Sequence, residues 1–297
     1  MKEKLSKCPL CKSALFLNDT QIEDYSVSHE KFQLSKCSNC ELKFTNPRPT
    51  QNDIGPYYDF PEYYSHENKI SNLTQAIYSY VRKYAVNSKV ELFNTLKPAK
   101  GNLLDYGCGT GELVAKAKSE GWNVEGIEPN EKARKYASDK AQITIKKEFE
   151  GTEQKYDVIS LFHVLEHIHE LRKTVKKLVT NLESGGYILI AVPNPESFDA
   201  KKYGSHWAGW DVPRHLYHFN GKSMKIFANE FGLELEKVLP MKFDSYYVSL
   251  LSEGYQNPKQ HILFRYWKSF ISGRKSNSIA ATQNNNYSSK LYLFKKK

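Results

Sequence analysis

The stretch that most constrains this chain is Leu103-Leu104-Asp105-Tyr106-Gly107-Cys108-Gly109-Thr110-Gly111. Two apolar residues lead into an acid, glycines follow at alternate positions, and a helical pattern starts at Glu112. A strand that feeds a tight glycine-rich turn and then a helix N-terminus lets backbone approach a ligand where side chains would collide. The spacing is not the G-x-G-x-x-G of a dinucleotide fingerprint, and no Gly-Lys-Ser/Thr follows to complete a phosphate loop.

Three further segments follow in order. Asn123-Val124-Glu125-Gly126-Ile127-Glu128-Pro129 reads as a second strand ending in an acid, seventeen residues after Gly111. In doubly wound folds an acid at that place accepts hydrogen bonds from ribose hydroxyls. Residues 156–167 read as a fourth strand and its exit, and Gly185-Gly186 opens a fifth that ends in Val192-Pro193-Asn194. With these segments and its D-x-G-C-G-T-G run, the chain resembles the class I, Rossmann-like S-adenosylmethionine (SAM) methyltransferases of the type 11/23 group. The resemblance implies SAM as co-substrate. Gly107, Gly109 and Gly111 would pass its methionine and ribose parts along the backbone, Asp105 would face its amino group, and Glu128 would hold the ribose hydroxyls. Glu148, near the adenine, and Leu161 and Phe162, at the end of the fourth strand, complete that set.

Strand and helix signals alternate along the chain. They give strand 102–106, helix 110–120, strand 122–128, helix 130–140 and strand 142–146. Strand 156–162, helix 168–183, strand 186–192, helix 221–231 and strand 233–241 follow. Residues 70–96 have helical spacing without Pro or Gly, and residues 289–294 read as a final strand, which the resemblance would insert, antiparallel, beside the sixth. The expected fold is α/β: a doubly wound, mostly parallel seven-stranded sheet with helices on both faces, plus a small N-terminal zinc ribbon. Expected boundaries are 1–46 for the ribbon, 47–69 for a linker and aromatic-rich lid segment, and 70–297 for the methyltransferase domain. With 40% hydrophobic residues in 297, the chain can bury a substantial core. No run approaches the roughly eighteen apolar residues of a membrane span, and Met1-Lys2-Glu3-Lys4 opens no apolar signal core. A cytoplasmic protein is expected.

Cys8-x-x-Cys11 and Cys37-x-x-Cys40 are two pairs with twenty-five residues between them. Thiolates repeated on two knuckles can meet one tetrahedral ion, and so small a segment needs a staple, so a four-thiolate structural zinc is expected. Disulfides compete, and are disfavoured without a secretion signal. Lys12 and Glu41 stand where zinc knuckles often carry Gly. Cys108, alone in the glycine loop, reads as a small packed residue rather than a nucleophile.

Methyl transfer from a sulfonium asks chiefly for alignment, and a hydroxyl acceptor must also lose its proton. Candidates for that role are His163, Glu166 and His167, which share one face of a helical turn, and His215 in the segment from Trp207 to Phe219. The loop from Pro193 to Asn220 holds two Trp and three His, suited to closing over an acceptor. Ubiquinone-pathway O-methyltransferases and small-RNA 2′-O-methyltransferases have a Glu-x-x-Glu-His run after the fourth strand that binds a divalent metal. The RNA enzymes add a later His. His163-x-x-Glu166-His167 with His215 is similar, but His163 replaces the first Glu and leaves a softer donor set than magnesium prefers. Three readings stand at this point: a catalytic divalent metal, a metal-free base at His163 or His215, and purely supporting roles for Glu166 and His167.

The formal charge of +10 is unevenly placed. From Gly254 to Lys297 there is no Asp or Glu and there are nine Lys or Arg, whereas residues 1–253 set 34 basic residues against 33 acids. Such a segment can attract nucleic acid, an anionic membrane surface or an acidic substrate. Phe264, Tyr266, Trp267 and Phe270 within it have the spacing of a packed amphipathic helix. Three functional classes follow. One is a methyltransferase acting at oxygen on a small-molecule or glycan-type acceptor. Another is an RNA methyltransferase that uses ribbon and basic C-terminus, although the Asn/Asp-Pro-Pro-Tyr/Phe motif of base methylation is missing. The third, a non-catalytic SAM or zinc module, fits poorly with intact glycines and Glu128.

Overall fold

The computed structural model describes residues 1–58, 73–151, 153–283 and 285–297. Most of the expected aromatic lid, from Asp59 onward, lies outside the described residues. The chain opens with β1 (Lys2–Glu3), a hairpin of β2 (Phe16–Glu23) and β3 (Lys31–Cys37), then β4 (Lys43–Thr45) and β5 (Arg48–Pro49). Helix α1 (Leu73–Leu96) leads into β6 (Asn102–Tyr106), α2 (Glu112–Ser119), β7 (Asn123–Ile127), α3 (Glu131–Ala141) and β8 (Tyr156–Phe162). Next come α4 (Leu171–Thr180), β9 (Leu182–Pro193), α5 (Phe198–Tyr203), β10 (Tyr217–His218), α6 (Gly221–Glu230) and β11 (Leu233–Pro240). Two helices, α7 (Asp244–Gln256) and α8 (Ile262–Thr282), precede the final strand β12 (Ser289–Lys296).

The main sheet runs β11-β12-β9-β8-β6-β7, with β6 parallel to both β7 and β8. It has six strands rather than seven. The expected strand 142–146 supplies a single bridge, Ile127 to Lys146. Of residues 142–146 only Ile145 is buried, so too little apolar surface is available to hold an edge strand. The final strand stands beside β11, where it was expected.

The chain divides into two compact units. One comprises Pro61–Phe162, Val175–Leu189 and Phe294–Lys297. Leu103, Leu104, Val158, Ile159 and Leu161 are wholly buried in it, the near-continuous apolar strands of a parallel sheet covered on both faces.

The other comprises Met1–Phe60, His163–Thr174 and Ile190–Leu293. Here β3 pairs antiparallel with β2 and β4, and β4 pairs in turn with β10. Ile22, Phe32 and Leu34 of the ribbon share one core with Ala200, Tyr203, Trp207, Trp210 and Val212. Trp207 and Trp210 are only 1% and 6% exposed, which makes them core residues, not a surface that closes over an acceptor. A buried ion pair stitches the same two segments: the Arg214 guanidinium donates to Asp24 at 2.8 Å, to Asp211, and to the Tyr57 carbonyl. Helix α8 forms as expected, but Phe264, Tyr266, Trp267 and Phe270 face outward rather than into a core.

Candidate functional site

The glycine turn is built by backbone hydrogen bonds. The amides of Gly107 and Cys108 both donate to the Ile127 carbonyl, which ties the turn to the end of β7. Glu128 follows directly. Its two carboxylate oxygens accept from the amides of Gly109 (2.9 Å) and Asn130 (2.8 Å). Burial raises its pKa, opposed by those two amides, which fix the side chain in place. Asp105 is buried, accepts from Ser160 Oγ at 2.7 Å, and is pushed up to about 6 by burial.

The glycines divide their work. Gly107, Gly109 and Gly111 all have positive φ. A Cβ built on Gly109 meets no atom within 4 Å, so that position faces open space. A Cβ on Gly111 would lie 2.8–2.9 Å from Ala137 of α3, so this glycine admits a close helix approach. The Cys108 sulfur packs against Gly126, where an added Cβ would sit 3.0 Å from it. Burial holds its thiol above the ordinary range, in keeping with a packing residue. Leu161 is wholly buried, and Phe162 lies between the Phe93 ring and the Lys89 ammonium, 3.8 Å from its centroid. Glu148 is 71% exposed beside Lys147, which leaves it solvated.

His163, Glu166, His167 and His215 come together in the other unit. His163 holds a left-handed φ of 58° at the exit of β8 and donates its amide to the Ala191 carbonyl. Its ring bridges two carboxylates: Nδ1 is 3.5 Å from Glu166 Oε1 and Nε2 is 3.1 Å from Asp244 Oδ2. Burial disfavours its charge, yet the contacts to Asp244 and Glu166 prevail and raise its pKa to about 10. His163 therefore holds a proton at neutral pH and is poorly placed to act as a base. Asp244, at the start of α7 and eighty-one residues downstream, gives no sequence signal of this role; the same holds for Ser160 under Asp105.

Glu166 is fully buried and neither carboxylate oxygen has a hydrogen-bond partner among the described residues. Burial would raise its pKa, but the surrounding His163, His215 and His167 keep it below the ordinary value. His167 Nδ1 lies 3.0 Å from the Arg214 carbonyl and His215 Nδ1 3.0 Å from the Gly209 carbonyl. A carbonyl only accepts, so Nδ1 is the donor in both contacts; His167 Nδ1 also lies 3.0 Å from the Tyr58 hydroxyl, and His215 Nε2 lies 3.9 Å from Asp211. One ring nitrogen from each and a Glu166 oxygen lie within 4.8 Å of one another. Burial drives the His167 pKa down to about 4, which keeps the ring neutral.

The four ribbon cysteines form a second cluster, with Sγ–Sγ distances of 3.5 Å (Cys8–Cys40) and 3.6 Å (Cys11–Cys37) and all four within 4.8 Å. Four sulfurs about 2.3 Å from one ion would sit nearly that far apart. Both knuckles have the same wiring. The amide of Lys12 donates to the Cys8 carbonyl and that of Glu41 to the Cys37 carbonyl, each at 3.0 Å. Lys12 and Glu41 adopt φ of 64° and 61°, so they take the left-handed conformation that Gly usually supplies there. The hydrogen bond with Cys8 and burial hold the Cys40 thiol far above the ordinary range.

Known proteins match this architecture. A family model described as a methyltransferase domain covers residues 78–238. A ubiquinone biosynthesis O-methyltransferase of Nitrosospira multiformis is 26% identical over 159 residues, 48% of this chain and 66% of that protein. An uncharacterized methyltransferase of Staphylococcus carnosus is 26% identical over 166 residues, 52% of this chain and 80% of its own. The magnesium protoporphyrin IX methyltransferase of Synechocystis, solved with bound S-adenosylhomocysteine, superposes with a TM-score of 0.50 at 15% identity, over 76% of this chain and 88% of its own. The glycine turn, Glu128 and strands β6 to β9 thus occur inside a matched domain that spans over half of the chain, which belongs to the methyltransferase-domain family as a SAM-dependent methyltransferase.

Proposed function

We propose that this protein transfers the methyl group of SAM to a hydroxyl of a small-molecule or glycan-type acceptor, and that Glu166, His167 and His215 hold a divalent cation at the acceptor. The observation that carries this reading is Glu166, a buried carboxylate with no hydrogen-bond donor on either oxygen, whose oxygen lies within 4.8 Å of a ring nitrogen of His167 and of His215. His163 faces one of its oxygens at 3.5 Å, and a second cation held with His167 and His215 would complete the compensation that a buried carboxylate needs. A bound divalent cation supplies a Lewis acid that lowers the pKa of a coordinated hydroxyl. Two imidazoles and one carboxylate suit manganese, cobalt, iron or zinc better than magnesium. His163 keeps its proton between Glu166 and Asp244, which fixes the Glu166 carboxylate instead of deprotonating the acceptor. Matched relatives named as ubiquinone biosynthesis O-methyltransferases support oxygen as the atom methylated. In the ribbon, Cys8, Cys11, Cys37 and Cys40 would hold a structural zinc.

The test uses labelled SAM and a panel of hydroxylated small molecules. Chelator-treated protein should lose methyl transfer and regain it with manganese or cobalt. Glu166→Gln should lower turnover at least about a hundredfold with no rescue. SAM affinity and zinc content of the variant should match wild type. Full turnover in Glu166→Gln would reject the cation site, and indifference to both chelator and added metal would do the same.

A further inference from the structure

Helix α8 is amphipathic in the reverse of the usual sense. Its protein-facing stripe is small: Ser269, Ser272, Gly273, Ser276 and Ala280 are buried. That stripe is firmly seated. Ser276 Oγ donates to Asp199 at 2.7 Å, and a Cβ on Gly273 would lie 2.6 Å from the Tyr246 ring. At 100° per residue, Leu263, Phe264, Trp267, Phe270 and Ile271 fall on the opposite side. They are 70%, 48%, 58%, 56% and 44% exposed. Such a continuous large-apolar face is uncommon on a monomer's surface and marks a contact with something else.

Charge names the partner. Lys259, Arg274 and Lys275 lie exposed before and along this face, in a segment from Gly254 to Lys297 that has nine basic residues and no acid. Glu253, just before it, is buried and accepts from Lys202 and Tyr203. Glu253 also lies 4.0 Å from Lys268, and the exposed charges that flank the face are Lys259, Arg274 and Lys275. Aromatic and aliphatic side chains with exposed cations beside them are the chemistry of a helix lying in an anionic lipid interface. A symmetric second copy would set these cations against themselves. Nucleic acid would leave Leu263 and Ile271 without partners, and the Phe264 and Trp267 rings already stack on each other at 5.5 Å. No helix among the described residues is long and apolar enough to cross a membrane, so the contact would be peripheral.

We propose that α8 docks this protein on the surface of an anionic lipid bilayer, with Leu263, Phe264, Trp267 and Phe270 entering the interface and Lys259, Arg274 and Lys275 meeting lipid phosphates. Trp122, Trp207 and Trp210 are buried, which makes Trp267 the reporter. The full chain should sediment with vesicles of phosphatidylcholine doped with phosphatidylglycerol and not with phosphatidylcholine alone, and its tryptophan emission should shift to the blue. Leu263→Ser/Trp267→Ser and Lys259→Glu/Arg274→Glu/Lys275→Glu should each weaken sedimentation more than about tenfold while SAM binding stays at wild-type affinity. Failure to bind anionic vesicles overturns the proposal. So does binding with unshifted emission in wild type, protection of RNA without vesicle binding, or a concentration-dependent dimer that Leu263→Ser/Trp267→Ser abolishes.

Discussion

Gly109 and Gly111, two residues apart in one turn, answer to different demands. Both hold left-handed φ, so an alanine at either costs on the order of 1–2 kcal/mol in backbone strain. Gly109→Ala meets no protein atom and should leave a folded chain that binds SAM poorly, because the open space beside it is where the cofactor would pass. Gly111→Ala runs into Ala137 and should lower the melting temperature further. Glu128→Ala should fold and lose about 1.5–3 kcal/mol of SAM affinity, the worth of a charge-assisted hydrogen bond. Calorimetry beside thermal melts checks all three, and wild-type SAM affinity in Gly109→Ala and Glu128→Ala would contradict the assignment. The sequence carries the glycine spacing and the acid after β7 plainly, since a short turn leaves few residues to choose from. It does not separate a cofactor glycine from a packing glycine, because that difference is written by α3.

At the scale of elements, the ribbon and the segment that bears His215 behave as one structure. Strand β4 pairs with β10, and Thr45 Oγ1 donates to the His215 carbonyl at 2.9 Å. Metal loss from a four-thiolate site unfolds what the metal holds. Cys37→Ser should therefore lose zinc and loosen β4. Methyl transfer should drop with it through His215, while SAM affinity persists in the unit that carries Glu128. Zinc analysis, calorimetry and turnover on one preparation check this, and wild-type turnover in a zinc-free variant would refute the coupling. Cysteine spacing makes the ribbon legible. Its pairing with a two-residue strand some 170 positions later is set only by tertiary contact. The same limit explains α8, whose periodicity gives a helix but not which side the protein covers.

For the whole molecule, two histidines tilt stability in opposite directions with pH. His167 has a folded pKa of about 4 against an ordinary 6.5. The unfolded chain takes up a proton that the folded one refuses, so this stability is present above pH 6.5 and is lost as pH falls toward 4. His163 is raised to about 10, so its contribution is complete below pH 6.5 and is lost as pH rises through 10. Urea unfolding of metal-free protein across that range should show both limbs. His167→Gln should flatten the acid limb and Asp244→Asn the alkaline one, whereas unchanged slopes in both variants would dismiss the burial of His167 and the ion pair of His163 as the causes. The alternation of strands and helices made the sheet readable because each element buries its own apolar run. Residues 142–146 fell short because only Ile145 is buried, in a cluster with Val114, Ala137 and Ala141, and the segment makes a single bridge at Lys146.

The ion pair between Arg214 and Asp24 has a consequence for descent. Each is buried, at 2% and 0% side-chain exposure; Arg214 would keep Asp211, but Asp24 without Arg214 would keep only the amides of residues 26–28 and the Ser28 hydroxyl, with no counter-charge. Ribbon and segment cannot then be exchanged separately between lineages. A homologue that has shed its four cysteines should also have replaced this arginine, and a graft of one part must bring the other along.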